Sequence, residues 1–418
     1  MAESFQAPKG TRDVLPPESG RWQALVAAFA RVVGRAGYGL VQSPMFEDIG
    51  VFRRLGEGTE VVRKEMYDFR DKGDRHLALR PEGTASVVRA FNQHRPTVPW
   101  KVWYLTPCFR YEEPQAGRFR QHHQVGIEAI GSADPDLDVE VIALQHDFYR
   151  AVGLGTLSLR LNSMGTPADR RAYAARLAGW LGERIDDIDE ADRANAAEFP
   201  LRVLDSKRER TRAVTTEAPK LIDGLSGEAA DHFGRVRSGL DALGIAHHID
   251  PTLVRGLDYY THTTWEFAAG ALSTAQNAVG GGGRYDGLAE SLGGRPAPGV
   301  GFGAGIERIL LAADAEGALT PDTGAVEVFV VDVAGGEAGR DLTFELRRAG
   351  VAADRAFDGR SMKAQMKVAD RSGARLALLI GDDELAADTV TVRHLRADQP
   401  QVALLRPEVV EGVRRILD

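Results

Sequence analysis

A chain of 418 residues with a formal charge of −8, 43% apolar and 27% charged residues, has the make-up of a globular protein of two or three domains. Its net acidity argues against a protein that coats nucleic acid through bulk charge, although a local basic patch stays open. A single cysteine, Cys108, excludes an intramolecular disulfide and suits a reducing compartment; no apolar run reaches the ~18 residues that span a bilayer, and Met1 to Gly10 lack a charged-then-apolar leader, so a cytoplasmic chain without membrane contact is expected.

In chain order, Trp22, Leu25, Val26, Phe29, Val32 and Val33 repeat at helical spacing, which predicts a helix from Glu18 that stops at Gly37. Gly39 to Pro44 reads as a strand ended by proline. Short alternating segments over residues 61–80 (Met66, Phe69, Leu77, Leu79) suit antiparallel strands. Lys101 to Arg110 and Gln124 to Gly131 read as two strands around a charged loop, and Asp136 to Val152 as a helix. Residues from about 166 to 245 turn rich in Ala, Arg, Asp and Glu with helical periodicity, the pattern of a helical insertion. Strand-like sequence returns at Thr263 to Phe267, then glycine-dense sequence runs to Gly305, and a helix starts near Ile306.

Turn formers cluster between Glu316 and Gly324, which puts a domain boundary there and gives units of 1–324 and 325–418. Beyond it, strand and helix alternate: strands at Val326–Val333, Leu376–Ile380 and an edge-like Thr389–His394, helices at Asp341–Ala349, Ser361–Ser372 and Pro407–Leu417. That alternation predicts a small α/β domain with a largely parallel sheet. Between Asp354 and Arg375, six Lys/Arg stand against three Asp, leaving this stretch at +3.

Four stretches carry chemistry. Leu253-Val254-Arg255-Gly256-Leu257-Asp258-Tyr259-Tyr260 sets one cation, one acid and two phenols beside a glycine, an inventory that can hold an anion and a small polar ring. Gly280-Gly281-Gly282-Gly283-Arg284-Tyr285-Asp286 is either a site loop or simply a flexible one. Arg110 to Glu128 spaces arginines at 110, 118 and 120 around a turn of Pro, Gln, Ala and Gly; phosphoryl chemistry needs such planar, permanently charged donors, while the plainer reading is a charged surface hairpin. Gly301 to Arg308 is glycine-rich sequence that leads into a helix, where backbone and dipole favour phosphate, or else tight packing. In Arg80-Pro81-Glu82-Gly83-Thr84, Thr84 reads as the cap of a helix running through Phe91, with an ammonium-binding role for Glu82 as the alternative. The histidine pairs His122-His123 and His247-His248 have no zinc-like spacing, so no metal site is expected from a side-chain cluster, and no P-loop segment occurs.

Together these stretches resemble the histidyl-tRNA synthetases, class II aminoacyl-tRNA synthetases, over essentially the whole chain. Phe109–Glu128 resembles class II motif 2, Gly301–Arg308 resembles motif 3, and the helix from Glu18 with Val41–Pro44 a weak motif 1. Leu253–Tyr260 and Gly282–Gly287 resemble the two histidine-specific signatures, and Arg360–Lys367 with Ala369-Asp370 the anticodon-binding domain. The resemblance implies an α+β fold: an antiparallel-sheet catalytic domain with a helical insertion, followed by an α/β anticodon-binding domain. It implies ATP as substrate with Mg2+, L-histidine and tRNA(His) as partners, and a homodimer.

Carried over by position, the resemblance puts Arg110 on the α-phosphate of ATP, Glu112 on the adenine amino group, and Arg118 and Arg308 on the outer phosphates. Glu82, Thr84 and Gln124 would hold the ammonium and carboxylate of histidine, with Arg110 close by. Glu128 and Tyr260, beside Tyr259, would read the imidazole. Arg255 would stand between substrate carboxylate and α-phosphate, which makes Arg110 and Arg255 the catalytic pair. Gln115 would approach the tRNA acceptor end, and Arg360, Lys363 and Lys367 the anticodon. Two positions depart from the pattern: His122 stands where Phe is common, and Glu113 where Arg is common. The rival reading is a regulatory paralogue that senses histidine without catalysis; the presence of Arg110, Glu112, Arg118 and Arg308, and of α/β sequence after Gly324, speaks against it.

Overall fold

Leu25, Ala28, Phe29 and Val33 are what the helix Glu18–Arg35 buries, the stripe that its 3.6-residue period lines up. The structure, a computed structural model, describes residues 5–54, 61–204, 206–253, 259–272, 277–319 and 326–417. The chain divides into two units, Met1–Thr320 and Pro321–Asp418.

In the first unit the strands are β1 Gly39–Leu40, β2 Phe46–Asp48, β3 Asp68–Arg70, β4 His76–Leu79, β5 Trp100–Phe109, β6 Gln121–Ile130, β7 Leu157–Ser163, β8 His248–Ile249, β9 Thr261–Ala269, β10 Ala278–Arg284 and β11 Gly299–Gly305. Eight of them form one sheet in the order β1-β5-β6-β11-β10-β9-β7-β8. Six central strands pair antiparallel, and a short parallel strand closes each edge. β2, β4 and β3 make a separate three-stranded sheet.

The two faces of the large sheet have different jobs, and the period-2 alternation of each strand sets them apart. Val125, Ile127 and Ala129 of β6 and Val300, Phe302 and Ala304 of β11 join the main core with the helices Glu18–Arg35, Pro135–Val152 and Ile306–Glu316. Phe29 is fully buried there, edge-on to Trp103, Phe148 and Phe302 at 4.9–6.1 Å. The opposite face carries Gln124, Gly126 and Glu128 on β6 and glycines 299, 301, 303 and 305 on β11, and this is where polar chemistry gathers.

Two expectations change here. The strand expected over Gly39–Pro44 is only Gly39–Leu40: the carbonyls of Ser43 and Pro44 accept from the buried Arg80 guanidinium (3.0 and 3.1 Å) and do not join a ladder. The Gly280–Gly283 run is not a loop but the middle of β10, paired on both sides.

The helical stretch after β7 also divides. Tyr173, Leu177 and Leu181 of the helix Pro167–Gly182 form their own apolar cluster with Ile188, Ala196, Val203, Ala218 and Leu221. The helix Gly227–Ala242 instead contributes Phe233, Val236 and Leu240 to the main core.

The second unit has β12 Val328–Asp332, β13 Ala353–Arg355, β14 Leu376–Ile380, β15 Thr389–His394 and β16 Val402–Leu405, in the order β13-β12-β14-β15-β16. β12 pairs parallel with both β13 and β14, while β15 pairs antiparallel with both β14 and β16, so the sheet is mixed. β15 is internal and β16 forms the edge. The helix expected at Asp341 begins at Glu337, where the Asp332 carboxylate accepts the Gly339 N–H at 2.6 Å and supports the earlier start.

Candidate active site

β5 and β6 pair from Trp100↔Ile130 to Phe109↔Gln121, and the loop joining them is folded back on itself. The backbones of Gln115 and Arg118 exchange hydrogen bonds of 2.8 and 3.2 Å around Gly117, whose φ of 71° suits only glycine comfortably. Gln115 is therefore presented, exposed, at the tip of the hairpin. Glu113 is also exposed and pairs with Lys9 at 3.3 Å.

The arginines converge behind that tip. Arg110 donates through Nε to the Pro81 carbonyl (2.9 Å) and stands 3.8 Å from the Glu112 carboxylate, which also accepts from Arg118 (3.2 Å). Arg308, in the first turn of the helix Ile306–Glu316, donates to the Ala278 carbonyl (2.6 Å). Burial first, and then the Arg118 charge, lower the Arg308 pKa, so the two guanidinia share one neighbourhood. His122 lies there too: burial, followed by Arg110, His123 and Arg118, pulls its pKa down to about 3 and keeps the ring neutral. Next to it, the His123 N–H and ring bond the Glu307 carboxylate at 2.8–3.1 Å, tying β6 to the start of that helix.

Beside the Pro81 anchor is a buried acidic centre. Both Glu82 oxygens accept backbone N–H groups, from Thr84 and Ala85, at 2.7 Å. Glu82 is thus the cap of the helix Thr84–His94, and the cap expected from Thr84 is corrected: its hydroxyl is turned away to Glu128 at 2.6 Å. Glu128 is fully buried and also accepts from Tyr285 (2.5 Å) and Tyr104 (3.5 Å). Desolvation outweighs those donors and pushes its pKa up to about 8. The Glu82 pKa is raised by burial as well, opposed by its two N–H partners and by the nearby Arg110 charge, which places the acidic centre within electrostatic reach of the arginine group.

Glycines make this centre sterically possible. A Cβ at Gly301, opposite Glu128 in the ladder, would stand 1.9 Å from the Glu128 Oε2 and 2.4 Å from the Ile127 carbonyl. One at Gly283 would stand 2.6 Å from the Tyr260 ring. The Tyr260 ring in turn lies 4.6 Å from that of Tyr259. The two tyrosines also border a cavity of about 480 Å³ with Thr166, Arg170 and Thr261. Gln124, on the same face of β6, accepts weakly from the buried Cys108 thiol (3.4 Å), whose pKa burial drives up to about 12, leaving it unreactive.

Of the residues singled out in the sequence, Glu82, Thr84, Arg110, Glu128, Tyr259 and Tyr260 thus surround one centre, with Glu112, Arg118 and Arg308 forming the adjoining cationic group. Arg255, with Val254 to Asp258, lies outside the described residues. Arg360, Lys363 and Lys367 are exposed on the second unit. Sequence reasoning passed over Tyr104 and Tyr285 as site residues. Tyr285 directly follows the glycine run, and Tyr104 shares the alternation of Thr106 and Cys108, so a face-by-face reading of β5 holds the signal. Among the described residues no group of three or more His, Cys, Asp or Glu could hold a metal ion.

An antiparallel sheet flanked by helices on one face, with an arginine-bearing β-hairpin and a glycine strand feeding a helix on its working side, is the catalytic unit of a class II aminoacyl-tRNA synthetase. Residues 10–309 match the family model for histidyl-tRNA synthetase, and residues 327–416 that for an anticodon binding domain. The chain is 48% identical over 410 residues to the histidine–tRNA ligase of Nocardia farcinica, covering 96% of each, and 44% identical over 419 residues to that of Halothermothrix orenii, covering 99% of each. Apo histidyl-tRNA synthetase of S. aureus superposes with a TM-score of 0.83 at 35% identity, covering 98% of this chain and 100% of that one. The chain belongs to the histidyl-tRNA synthetase family.

Proposed function

We propose that this chain joins L-histidine to the 3′ end of tRNA(His) at the expense of ATP. The observation that carries the reading is the fully buried Glu128, ringed by three hydroxyl donors, beside a patch of three guanidinia, of which Arg110 and Arg118 face the Glu112 carboxylate and Arg308 is held by the Ala278 carbonyl. A buried polar ring selects an imidazole because an analogue without the right nitrogen leaves its partner unpaired.

In this reading a carboxylate oxygen of histidine attacks the α-phosphorus, the bond to the β-phosphate oxygen breaks, and pyrophosphate leaves. The terminal ribose hydroxyl of the tRNA then attacks the carbonyl carbon of the adenylate, and AMP departs. The first step draws two anions together, and in both steps negative charge grows on oxygen in the transition state, so fixed cations and orientation supply most of the acceleration. Arg110 faces the α-phosphate, Arg118 and Arg308 the outer phosphates, and Glu112 the adenine amino group. Arg255 neutralises both reacting groups. Glu82 keeps a second lone pair on each oxygen after capping its helix, and with Thr84 and Gln124 it holds the amino acid's ammonium and carboxylate. Glu128 and Tyr260, backed by Tyr259, read the ring. Mg2+ would arrive on the ATP phosphates and neutralise charge there.

Gln115 at the hairpin tip suits the acceptor end, and Arg360, Lys363 and Lys367 the anticodon. Exposed Leu40, Met45, Phe46, Phe69 and Val98 in the first unit fit a homodimer contact. No helix of the described residues is long and apolar enough to cross a membrane, and a cytoplasmic site of action goes with the family and with the single cysteine. Histidine-dependent ATP–pyrophosphate exchange, then charging of tRNA(His), tests the reading; histidine binding without exchange would favour the regulatory alternative.

A further inference from the structure

The second unit exposes an aromatic side chain that its own packing does not need. Phe357 is 57% exposed, while the apolar cores of this unit close without it. Its position follows from the topology. Strands β13, β12 and β14 run parallel, and ligands of open α/β sheets gather at the carboxyl ends of such strands. β13 ends at Arg355, so Phe357 stands two residues beyond that end. Asp358 and Gly359 follow at φ 70° and 55°, a left-handed pair that turns the chain sharply.

The loop is fastened. Gln365, buried in the helix Met362–Arg371, donates to the Arg360 carbonyl (2.7 Å) and the Asp332 carbonyl (2.6 Å) and accepts the Asp332 N–H (3.1 Å), so one amide clamps the loop to the end of β12. The Arg355 guanidinium lies 4.7 Å from the Phe357 ring centroid and also reaches the Gly336 carbonyl at 3.4 Å. A fixed aromatic ring, backed by a cation and largely open to water, is a platform on which an unpaired base stacks.

Charge narrows the occupant. Arg355 and Arg360 bracket the Phe357 turn, Lys363 and Lys367 are exposed on the helix Met362–Arg371 that directly follows it, and Asp358 pairs with Arg360 at 3.3 Å. Acids stand instead at the end of β14, where Asp382, Asp383 and Glu384 open the next helix. A polyanion is thereby favoured on the β13 side and repelled from the β14 side.

We propose that Phe357, backed by Arg355, stacks an unpaired base of the anticodon loop, with Arg360 and Lys363 taking the flanking phosphates. The inference rests on reading residues 327–416 as the anticodon-binding unit and adds to it the residue that grips a base. Base–aromatic stacking is worth ~1–3 kcal/mol by alanine substitution, so Phe357→Ala raises KM for tRNA(His) roughly 5- to 150-fold. Phe357→Leu, apolar but without a π face, gives most of that loss, whereas Phe357→Tyr and Phe357→Trp stay within about twofold of wild type. An acceptor-stem minihelix without an anticodon loop feels none of these changes. Pyrophosphate exchange on the same samples normalises for active-site concentration. A Phe357→Ala KM within twofold of wild type, a Phe357→Leu variant that behaves as wild type, or an equal penalty on the minihelix overturns the proposal. Lys363→Glu with Lys367→Glu separates the two levels: a raised KM there with an unaffected Phe357→Ala rejects the stacking alone, and unaffected KM in both rejects the anticodon assignment of this flank.

Discussion

Replacing Glu128 by Gln removes a charge from a fully buried site while keeping its shape, and it sets stability against activity. The carboxyl pKa stands at about 8 against an ordinary 4.5, with burial the largest cause. Below about pH 4.5 the group is protonated in both folded and unfolded chains and costs nothing. Between about pH 4.5 and 8 the folded protein holds the proton that the unfolded chain releases, so stability falls as pH rises, and above about pH 8 the loss is complete. At ~1.4 kcal/mol per pH unit, the wild type should lose about 3 kcal/mol from this group between about pH 5.5 and 8. Glu128→Gln should lose none of it. Thr84 and Tyr285 carry hydroxyls that can rotate to serve an amide oxygen and NH2 in place of two carboxylate oxygens. Urea denaturation of ligand-free wild type and variant at several pH values isolates the group as a difference of differences. The same change should lower kcat/KM for histidine in pyrophosphate exchange roughly 10- to 150-fold, the worth of a hydrogen bond to a charged acceptor. Parallel stability curves over that pH range would falsify the account of the buried acid, whatever the exchange assay reads.

Further outcomes follow from particular contacts. Gly301→Ala must displace the Glu128 carboxyl or the Ile127 carbonyl; it should destabilise by about 1–3 kcal/mol and abolish exchange. Gly303→Ala, where the nearest atom is a Gln124 oxygen at 3.6 Å, should unfold at the wild-type urea midpoint; equal destabilisation of the two variants would contradict the crowding argument. Asp138 and Arg284 form an ion pair with both side chains fully buried; Asp138→Ala removes the carboxylate on the Arg284 Nε side and leaves the buried guanidinium only Asp286 and two backbone carbonyls, which should cost about 3 kcal/mol in chemical denaturation. The exposed Lys9–Glu113 pair should be dispensable by the same assay. Arg255→Ala should slow histidyl-adenylate formation by orders of magnitude in rapid-quench experiments, and a near-wild-type rate would remove it from the mechanism.

How far the fold could be read beforehand depended on how local its causes are. The helix from Glu18 and the strands around Arg110–Glu128 announce themselves by periodicity, because each buries a face made of its own neighbours in sequence. β13 has three residues and β1 two, too few for a period to register; distant partners decide them. For β1 that partner is Arg80, whose guanidinium takes the carbonyls a longer strand would have used. The glycine run at 280–283 misled for a related reason. Glycine reads locally as freedom of φ and ψ, yet here the need is for space, set by Tyr260 on one face and by Tyr149 on the other. Thr84 is the same lesson at one residue. Its local chemistry favours capping, and only Glu128, 44 positions later, explains why Glu82 caps in its place.

The glycines and the buried acid belong to one physical problem. An imidazole differs from other small rings by where its nitrogens stand, and a site exploits that only if its acceptor is held rigidly, away from water. Rigidity comes from β6 and β11, since Glu128 and Gly301 face each other in a continuous antiparallel ladder. Dryness needs room beside the carboxyl: a Cβ at Gly301 would strike Glu128 itself and one at Gly299 the Tyr285 ring that donates to it, whereas Gly303 and Gly305 face no atom closer than 3.6 Å. The cost is an acid that prefers its proton at neutral pH. On the proposed reading histidine relieves that cost, because a ring N–H donated to Glu128 stabilises the carboxylate, and a bulkier or nitrogen-free ring would bring the desolvation without the relief. Discrimination then arises from the same burial that destabilises the empty site, so Glu128→Gln should make the ligand-free protein more stable above about pH 6 and less selective at once.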